Sequence, residues 1–306
     1  MVLVVLVSYL GAMIPATTHH QLIDTFLAST AVSASTRATN GAALRHFSGS
    51  LTGTPPTPRA IAAWRDELVV GGMSALSANT YLSCVRVFFT WAHGEGLATN
   101  AAQGVRGLRV RKAFRRDPLT AELATKVLAA CPNTRSRLIV ELEMRQGLRG
   151  VEVHRSNVGD ITTREGHDVM FVQGKGRGDK DEFVILCPAT MVALNAYLAE
   201  RGPVRSSDPL IVSGRGPKAH TRMSTRAIRT IVTEALVGAK VKAPKVTAHS
   251  CRHTTANLLR LAGVPITDIQ RVLRHTSVDT TMIYTAYAED AARLASPTEY
   301  QLNTMF

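Results

Sequence analysis

At 306 residues the chain is long enough for one large or two ordinary domains, and its 45% hydrophobic content excludes a disordered or collagen-like protein. Thirty-six Lys and Arg against 23 Asp and Glu leave a net charge of +13, which calls for a polyanionic partner. No apolar run reaches the ~18 residues of a membrane span, and Cys84, Cys131, Cys187 and Cys251 form no CxxC pair, so the chain reads as a soluble protein of a reducing compartment with neither a zinc ribbon nor a disulfide framework.

Residues 1–18 open with an almost wholly apolar stretch, Met1 to Ile14. No Lys or Arg precedes it and no A-x-A site follows, so it reads as a segment packed on the protein or on another protomer rather than as a signal peptide. Residues 19–104 read as a helical domain. An amphipathic stretch at 20–29 comes first, and Ser35-Thr36 is the expected cap of a helix to about 48. Thr57-Pro58 combines a capping hydroxyl with Pro at the first helical position and opens a helix to about 70. In a fourth helix, 77–93, Leu82, Val85, Phe88, Phe89 and Ala92 keep a three-four spacing, and Gly94 and Gly96 end it. Trp64, Phe89 and Trp91 read as core.

The charge is concentrated. Residues 1–104 are close to neutral, whereas 105–116 (VRGLRVRKAFRR) contains Arg106, Arg109, Arg111, Lys112, Arg115 and Arg116 and no acid. Preceded by Gly104, containing Gly107 and ended by Asp117-Pro118, this run reads as an interdomain linker. Such a run is often a solvated face; between two folded lobes it is also placed to lie along a phosphate backbone. A second domain is expected over 117–290, with a tail at 291–306. Helices are expected at 120–130 and 134–146, short strands at 158–161, 169–173 and 182–186, and helices at 188–200 and 222–236. The stretch 247–287 reads as mostly helical, broken at Gly263-Val264-Pro265 and around Arg274-His275. The fold class is therefore mainly α with a small antiparallel β-sheet.

Several chemistries are missing from the sequence: there is no GxxxxGK[ST], no Gly-x-Gly-x-x-Gly after a strand, no HExxH, no GxSxG and no persuasive acidic metal triad. What stands out is A-H-S-C-R-H-T at 248–254, L-R-H at 273–275 and I-Y-T at 283–285, preceded by Q-G-L-R-G-V-E at 146–152 and Q-G-K-G-R-G-D-K at 173–180. His249 and Arg252 are three apart and share a helix face, while Lys175 sits in a tight turn between two strands. Taken singly, each has a plain structural reading: His249, His253 and His275 as surface or core histidines, Arg149 as a helix-end charge, Lys175 as a solvated hairpin tip, Tyr284 as packing. A zinc reading of His249 and His253 lacks a convincing third ligand.

Together, in this order, these elements resemble the tyrosine recombinases, the family of phage integrases and Xer-type resolvases. Its pattern is a G-L-R-x-x-E box, a hairpin lysine, an H-x-x-R box, a His or Trp, and a Tyr about nine residues later; Arg149 with Glu152, Lys175, His249 with Arg252, His275 and Tyr284 match it. The resemblance covers about 117–290 strongly, and residues 19–104 fit the helical core-binding domain more loosely. It implies transesterification at a DNA phosphodiester, with Tyr284 forming a 3′-phosphotyrosyl link, Arg149 and Arg252 holding the phosphate, Lys175 as general acid, and His249 as acid/base. His275 would then bond the phosphate and Glu152 orient its neighbours. No metal or other cofactor is implied. Arg274 stands where the family usually has Gly and could add a phosphate contact; Cys251 stands where Leu is usual. Tyr287 is a rival nucleophile without the I-Y-T context or the spacing.

The resemblance further implies double-stranded DNA attachment or crossover sites as partner, a homotetramer on paired sites built from free monomers, an excision-directing accessory protein, and work on DNA in a bacterial cytoplasm. Only about 18 residues precede the first predicted helix, so an extra arm-binding domain is not expected. The favoured reading is a compact phage or mobile-element integrase acting in viral genome integration. The alternatives are an Xer-type dimer resolvase, a type IB topoisomerase-like enzyme and a non-catalytic DNA-binding protein. Leu294, Tyr300, Leu302, Met305 and Phe306 make the tail apolar, which suggests docking on the same or a neighbouring protomer.

Overall fold

In the computed structural model, which describes residues 16–51, 56–110, 116–174, 178–214 and 220–275 with Tyr300 and Met305, four helices come first. They are α1 (Ala16–Ser29), α2 (Ala34–Ser50), α3 (Pro58–Val70) and α4 (Ala75–Gly94). Side-chain oxygens of Ser33, Thr57 and Ser74 accept the N–H groups of Thr36, Ala60 and Ser77, closing the open first turns of α2, α3 and α4. The starts of α2 and α4 thus lie upstream of the expected ones. Thr36 and Ser77 hold the third helical position, where each also hydrogen-bonds the cap hydroxyl at 2.9 Å.

These helices enclose a core of Phe26, Leu44, Phe47, Ile61, Trp64, Leu82, Val85 and Phe89. Trp64 meets Phe47 edge-on at 5.0 Å and donates its indole N–H to His46 Nδ1 at 3.1 Å. Trp91 is only half-buried, leaning on Phe26 at 5.4 Å. Beyond α4 the chain turns at left-handed Gly96 and stays attached to the helices. Arg65 and Arg86 donate to the carbonyls of Arg106 and Val105, and Asn79 brackets Leu108, accepting its N–H at 2.7 Å and donating to its C=O at 2.9 Å. The first residues of the basic run are therefore fastened to the helical unit, which lies within residues 1–111.

The second unit lies within residues 112–306. It contains α5 (Ala121–Ala129), α6 (Thr134–Met144), α7 (Gly150–Arg155), β1 (Ile161–Arg164), β2 (His167–Val172), β3 (Glu182–Ile185), α8 (Pro188–Arg201), α9 (Thr225–Gly238), α10 (Ala248–Leu261) and α11 (Ile266–Leu273). The strands form one antiparallel sheet in the order β1-β2-β3, with Ile161 opposite Met170 and Val169 opposite Ile185. The mainly helical fold with a small antiparallel sheet is thus as expected. The first strand begins later than expected, because Val158–Asp160 is a 3-10 turn. Asp160 folds back to accept the Asn157 N–H at 2.6 Å and is held by Lys180 at 2.5 Å. Helix α9 also starts later, at Thr225 under a Ser224 cap, because the Arg222 guanidinium is committed to the carbonyls of His154 and Ser156 and to Asn157. The breaks after α10 and α11 fall where expected.

Helix α6 is the axis of this unit. Every residue from Leu138 to Met144 is buried, and the helix packs against α5, α7, α8, α9 and α10. Its two interior acids are served separately: Glu141 is clamped by Arg137 at 2.9 Å and Arg145 at 2.5 Å, while Glu143 faces α9 and α7. Cys251 lies fully buried in the same core. Among the described residues no helix is long and apolar enough to cross a membrane. Leu138 has no exposed surface, so Leu138→Ala should cost about 2–5 kcal/mol in chemical denaturation; an unchanged midpoint would show that the neighbours of α6 close over the gap.

Candidate functional site

The site is assembled where α6, α7, α10 and α11 meet. After α6 the chain reverses through Gly147, whose φ of +60° is left-handed and whose missing side chain matters doubly: a Cβ there would sit 2.8 Å from Leu273 Cδ2. Leu148 is then buried in the core, and Arg149 caps the start of α7. That helix was not foreseen from the sequence, since six residues are too few to show a helical period. One turn on, buried Glu152 accepts Arg149 Nη1 at 2.6 Å and the Arg149 N–H at 2.8 Å.

Arg252 reaches the same point from α10 and is 2% exposed. Its guanidinium donates to the carbonyls of Gly147 and Leu273 and stands 3.9 Å from Glu152. Arg274 arrives from the end of α11. It does not project outward as a further phosphate contact: held left-handed at φ 52°, it turns inward and donates Nη2 to Glu152 Oε2 at 2.7 Å. Burial by itself would raise the Glu152 pKa, but Arg274, the Arg149 backbone N–H, Arg252 and the Arg149 guanidinium outweigh it and hold the carboxyl below its ordinary range.

His249 lies one turn before Arg252 at the amino end of α10, with its edge against His253 at 4.8 Å. The protein packed around it, and then Arg252, Arg149 and Arg116, lower its pKa to about 4. His275 follows Arg274 directly, its backbone bound in both directions to Gln270, and burial followed by Arg252, Arg149, Arg274 and His249 brings it to about 3. Both are neutral imidazoles at pH 7.

A cleft of about 540 Å³ opens beside this cluster, lined by Arg116, Glu143, Thr225, Arg229, Thr247, His249 and Arg252 among others. Residues from the first turns of α9 and α10 border it, and such helix ends favour anions. Thr247 Oγ1 is buried at its rim without a hydrogen-bond partner. Glu143, Arg229 and Thr247 were not singled out from the sequence, although an acid inside the apolar run of α6 is a visible anomaly. Burial, with Glu152 adding and Arg229 opposing, pushes Glu143 up to about 8.

The structure therefore brings Arg149, Glu152, His249, Arg252 and His275 together. Of the DNA-binding candidates, Arg116 lines the cleft and Arg106 and Arg109 lie in the first unit. Lys175, Tyr284, Tyr287, Arg111, Lys112 and Arg115 lie outside the described residues, as does the tail apart from Tyr300 and Met305. Among the described residues no group of three His, Cys, Asp or Glu side chains could hold a metal ion. Three guanidiniums around one carboxylate leave surplus positive charge, which can bind and polarise a phosphate-type anion, and a neutral imidazole beside it can accept a proton.

The phage integrase family matches residues 118–290. Tyrosine recombinase XerC of Thermodesulfovibrio yellowstonii is 30% identical over 241 residues, covering 74% of this chain and 77% of its own. Among solved structures, a XerH site-specific recombinase bound to palindromic difH substrate aligns with a TM-score of 0.72 at 19% identity, over 86% of this chain and 80% of that one. A lambda integrase tetramer bound to a Holliday junction gives 0.68 at 19% identity, over 88% and 78%. At these identities the structures share the fold.

In the DNA-free protein, NMR titration of the imidazole Cε1 signals should place His249 near 4 and His275 near 3. Burial and the guanidiniums both disfavour the charged ring, so this contribution to stability falls as pH drops from about 6.5 toward those values, where only the unfolded chain binds the protons. Midpoints near 6.5 would show that the imidazoles do not sense this cluster.

Proposed function

The chain belongs to the phage integrase family of tyrosine recombinases, enzymes that break and rejoin DNA, and we propose that it does so by conservative site-specific strand exchange with Tyr284 as nucleophile. The observation that carries this reading is the convergence of Arg149, Arg252, His249 and His275 beside one anion-favouring cleft.

In this reading the Tyr284 oxygen attacks the scissile phosphorus, the bond to the 5′-oxygen breaks, and a 3′-phosphotyrosyl link retains the ester for rejoining. His249, neutral before DNA arrives, takes the phenolic proton, and Lys175 delivers one to the departing 5′-oxygen. Arg149 and Arg252 offer fixed charge-assisted donors to the non-bridging oxygens as charge builds there; losing one such preorganised donor typically costs about 10²–10³ in rate. His275 bonds the same phosphate, and Glu152 acts as a positioning residue. The metal-free chemistry follows from those cations. Arg106, Arg109, Arg111, Lys112, Arg115 and Arg116 would lie along the double-stranded DNA backbone, positioning the protein without reading bases. Monomers would join as a homotetramer on paired sites, a state supported by the tetramer that lambda integrase forms on a Holliday junction.

The finer reading is a compact phage or mobile-element integrase, its direction set by an accessory protein. An Xer-type resolvase is the second reading, and the likeness to XerC favours it. Plasmid recombination separates them. Paired copies of the DNA bordering a mobile element should recombine if the first holds, and paired chromosomal dimer-resolution sites if the second does. Relaxation of supercoils on DNA carrying neither would instead mark a topoisomerase.

On a nicked suicide duplex carrying the active site sequence, Tyr284→Phe should bind DNA yet form no covalent adduct, while Tyr287→Phe should form it. The reverse result would move the nucleophile to Tyr287.

A further inference from the structure

Arg274 is the departure from the family pattern with the most specific surroundings. Its side chain is 4% exposed, far below what an arginine beside a chain reversal needs. Its backbone is left-handed, at φ 52°, a conformation that Gly adopts without strain and Arg does not. A buried arginine in a left-handed conformation costs stability at both levels, so what its guanidinium contacts decides its role. That group is fixed at two nitrogens: Nη1 donates to the Val272 carbonyl at 2.7 Å and Nη2 to Glu152 Oε2 at 2.7 Å, while its buried Nε–H has no partner.

Glu152 has two oxygens for three guanidiniums. Arg149 Nη1 holds Oε1, whereas the Arg149 N–H and Arg274 share Oε2. Arg252 keeps only a longer ion pair with Oε2, at 3.9 Å, while its guanidinium also donates to the Gly147 and Leu273 carbonyls. An ionised carboxylate with an open lone pair draws the nearest cation. With Arg274 gone, the nearest guanidinium not already hydrogen-bonded to Glu152 is Arg252. We infer that Arg274 is a positioning residue that occupies Glu152 Oε2 and so stops Arg252 from closing from its longer ion pair onto the carboxylate, which holds Arg252 in place for the phosphate. It also ties the end of α11, immediately before His275, to the start of α7. The inference rests on the recombinase reading above.

The test uses the full-length protein and a suicide duplex obtained by covalent capture with the wild type from a randomised nicked pool. Arg274→Asn tolerates the left-handed backbone without glycine's flexibility; Arg274→Gly relaxes it fully; Arg274→Lys keeps the charge. Single-turnover adduct formation should be at least 10-fold slower at saturating DNA for Arg274→Asn and Arg274→Gly. Their half-saturating DNA concentration should stay within about 3-fold of wild type, while Arg274→Lys recovers part of the rate. In a Glu152→Gln background, which removes the competing charge, Arg274→Gly should add little further loss. Wild-type rates for Asn and Gly overturn the role of Arg274. So does a loss that appears only as weaker binding or lower stability, with Lys no better than Asn. Failure of the wild type to capture any duplex overturns the recombinase reading beneath it.

Discussion

Glu152, an ionised carboxylate sealed inside the second unit, is what the rest of the site is arranged around. An unpaired buried carboxylate would be prohibitively costly or would take up a proton. Here it stays charged because donors reach it from two directions: Arg149 from its own helix and Arg274 from the end of α11, with Arg252 of α10 close behind. The same ion pairs that make the carboxylate tolerable fix the guanidiniums at defined points. Burial first, and then the excess positive charge of those guanidiniums, keeps the neighbouring histidines neutral, so the cluster around one buried acid bears on both the geometry beside the cleft and the protonation of the imidazoles around it.

The scaffold serves that arrangement. Helix α6, buried all round, carries the chain into the Gly147 reversal, and the Thr255 hydroxyl of α10 donates to the Met144 carbonyl at 2.6 Å, so the helix bearing His249 and Arg252 is seated on the helix that ends before Arg149. Glu143 extends the pattern toward the cleft. It is an acid raised toward neutrality beside Arg229, and it adds little negative charge to a surface suited to phosphate.

Much of this was legible in the sequence because it is local. Capping by Thr57 with Pro58 and a helix beginning near residue 120 need only neighbours along the chain, and so does the His249–Arg252 spacing, which one helical turn brings together. The competition between Ser33 and Ser35, or Ser74 and Ser77, was not resolvable there, because both members of each pair are good caps and the surrounding packing chooses. The inward turn of Arg274 depends on a residue 122 positions away. Glu143 stands out within the apolar run of α6, but its charge neighbour Arg229 lies on α9, and nothing local in the sequence pairs the two. The 3-10 turn before β1 was missed because Asp160 engages Lys180, across the hairpin, in preference to strand pairing.

The reversal at Gly147 also has a meaning in time. Its tight approach to Leu273, the Arg252 bonds to both of those backbones, and the Arg274 link to Glu152 are all closures between distant parts of the chain. Such closures give up chain entropy that packing between distant elements must offset. A nascent chain that has emerged only as far as α10 therefore holds Arg149 and Glu152 on the same short helix but not the joint that braces them. The site is completed only when α11 docks. The arrangement around Glu152 is therefore a property of the assembled second unit and not of any one of its helices.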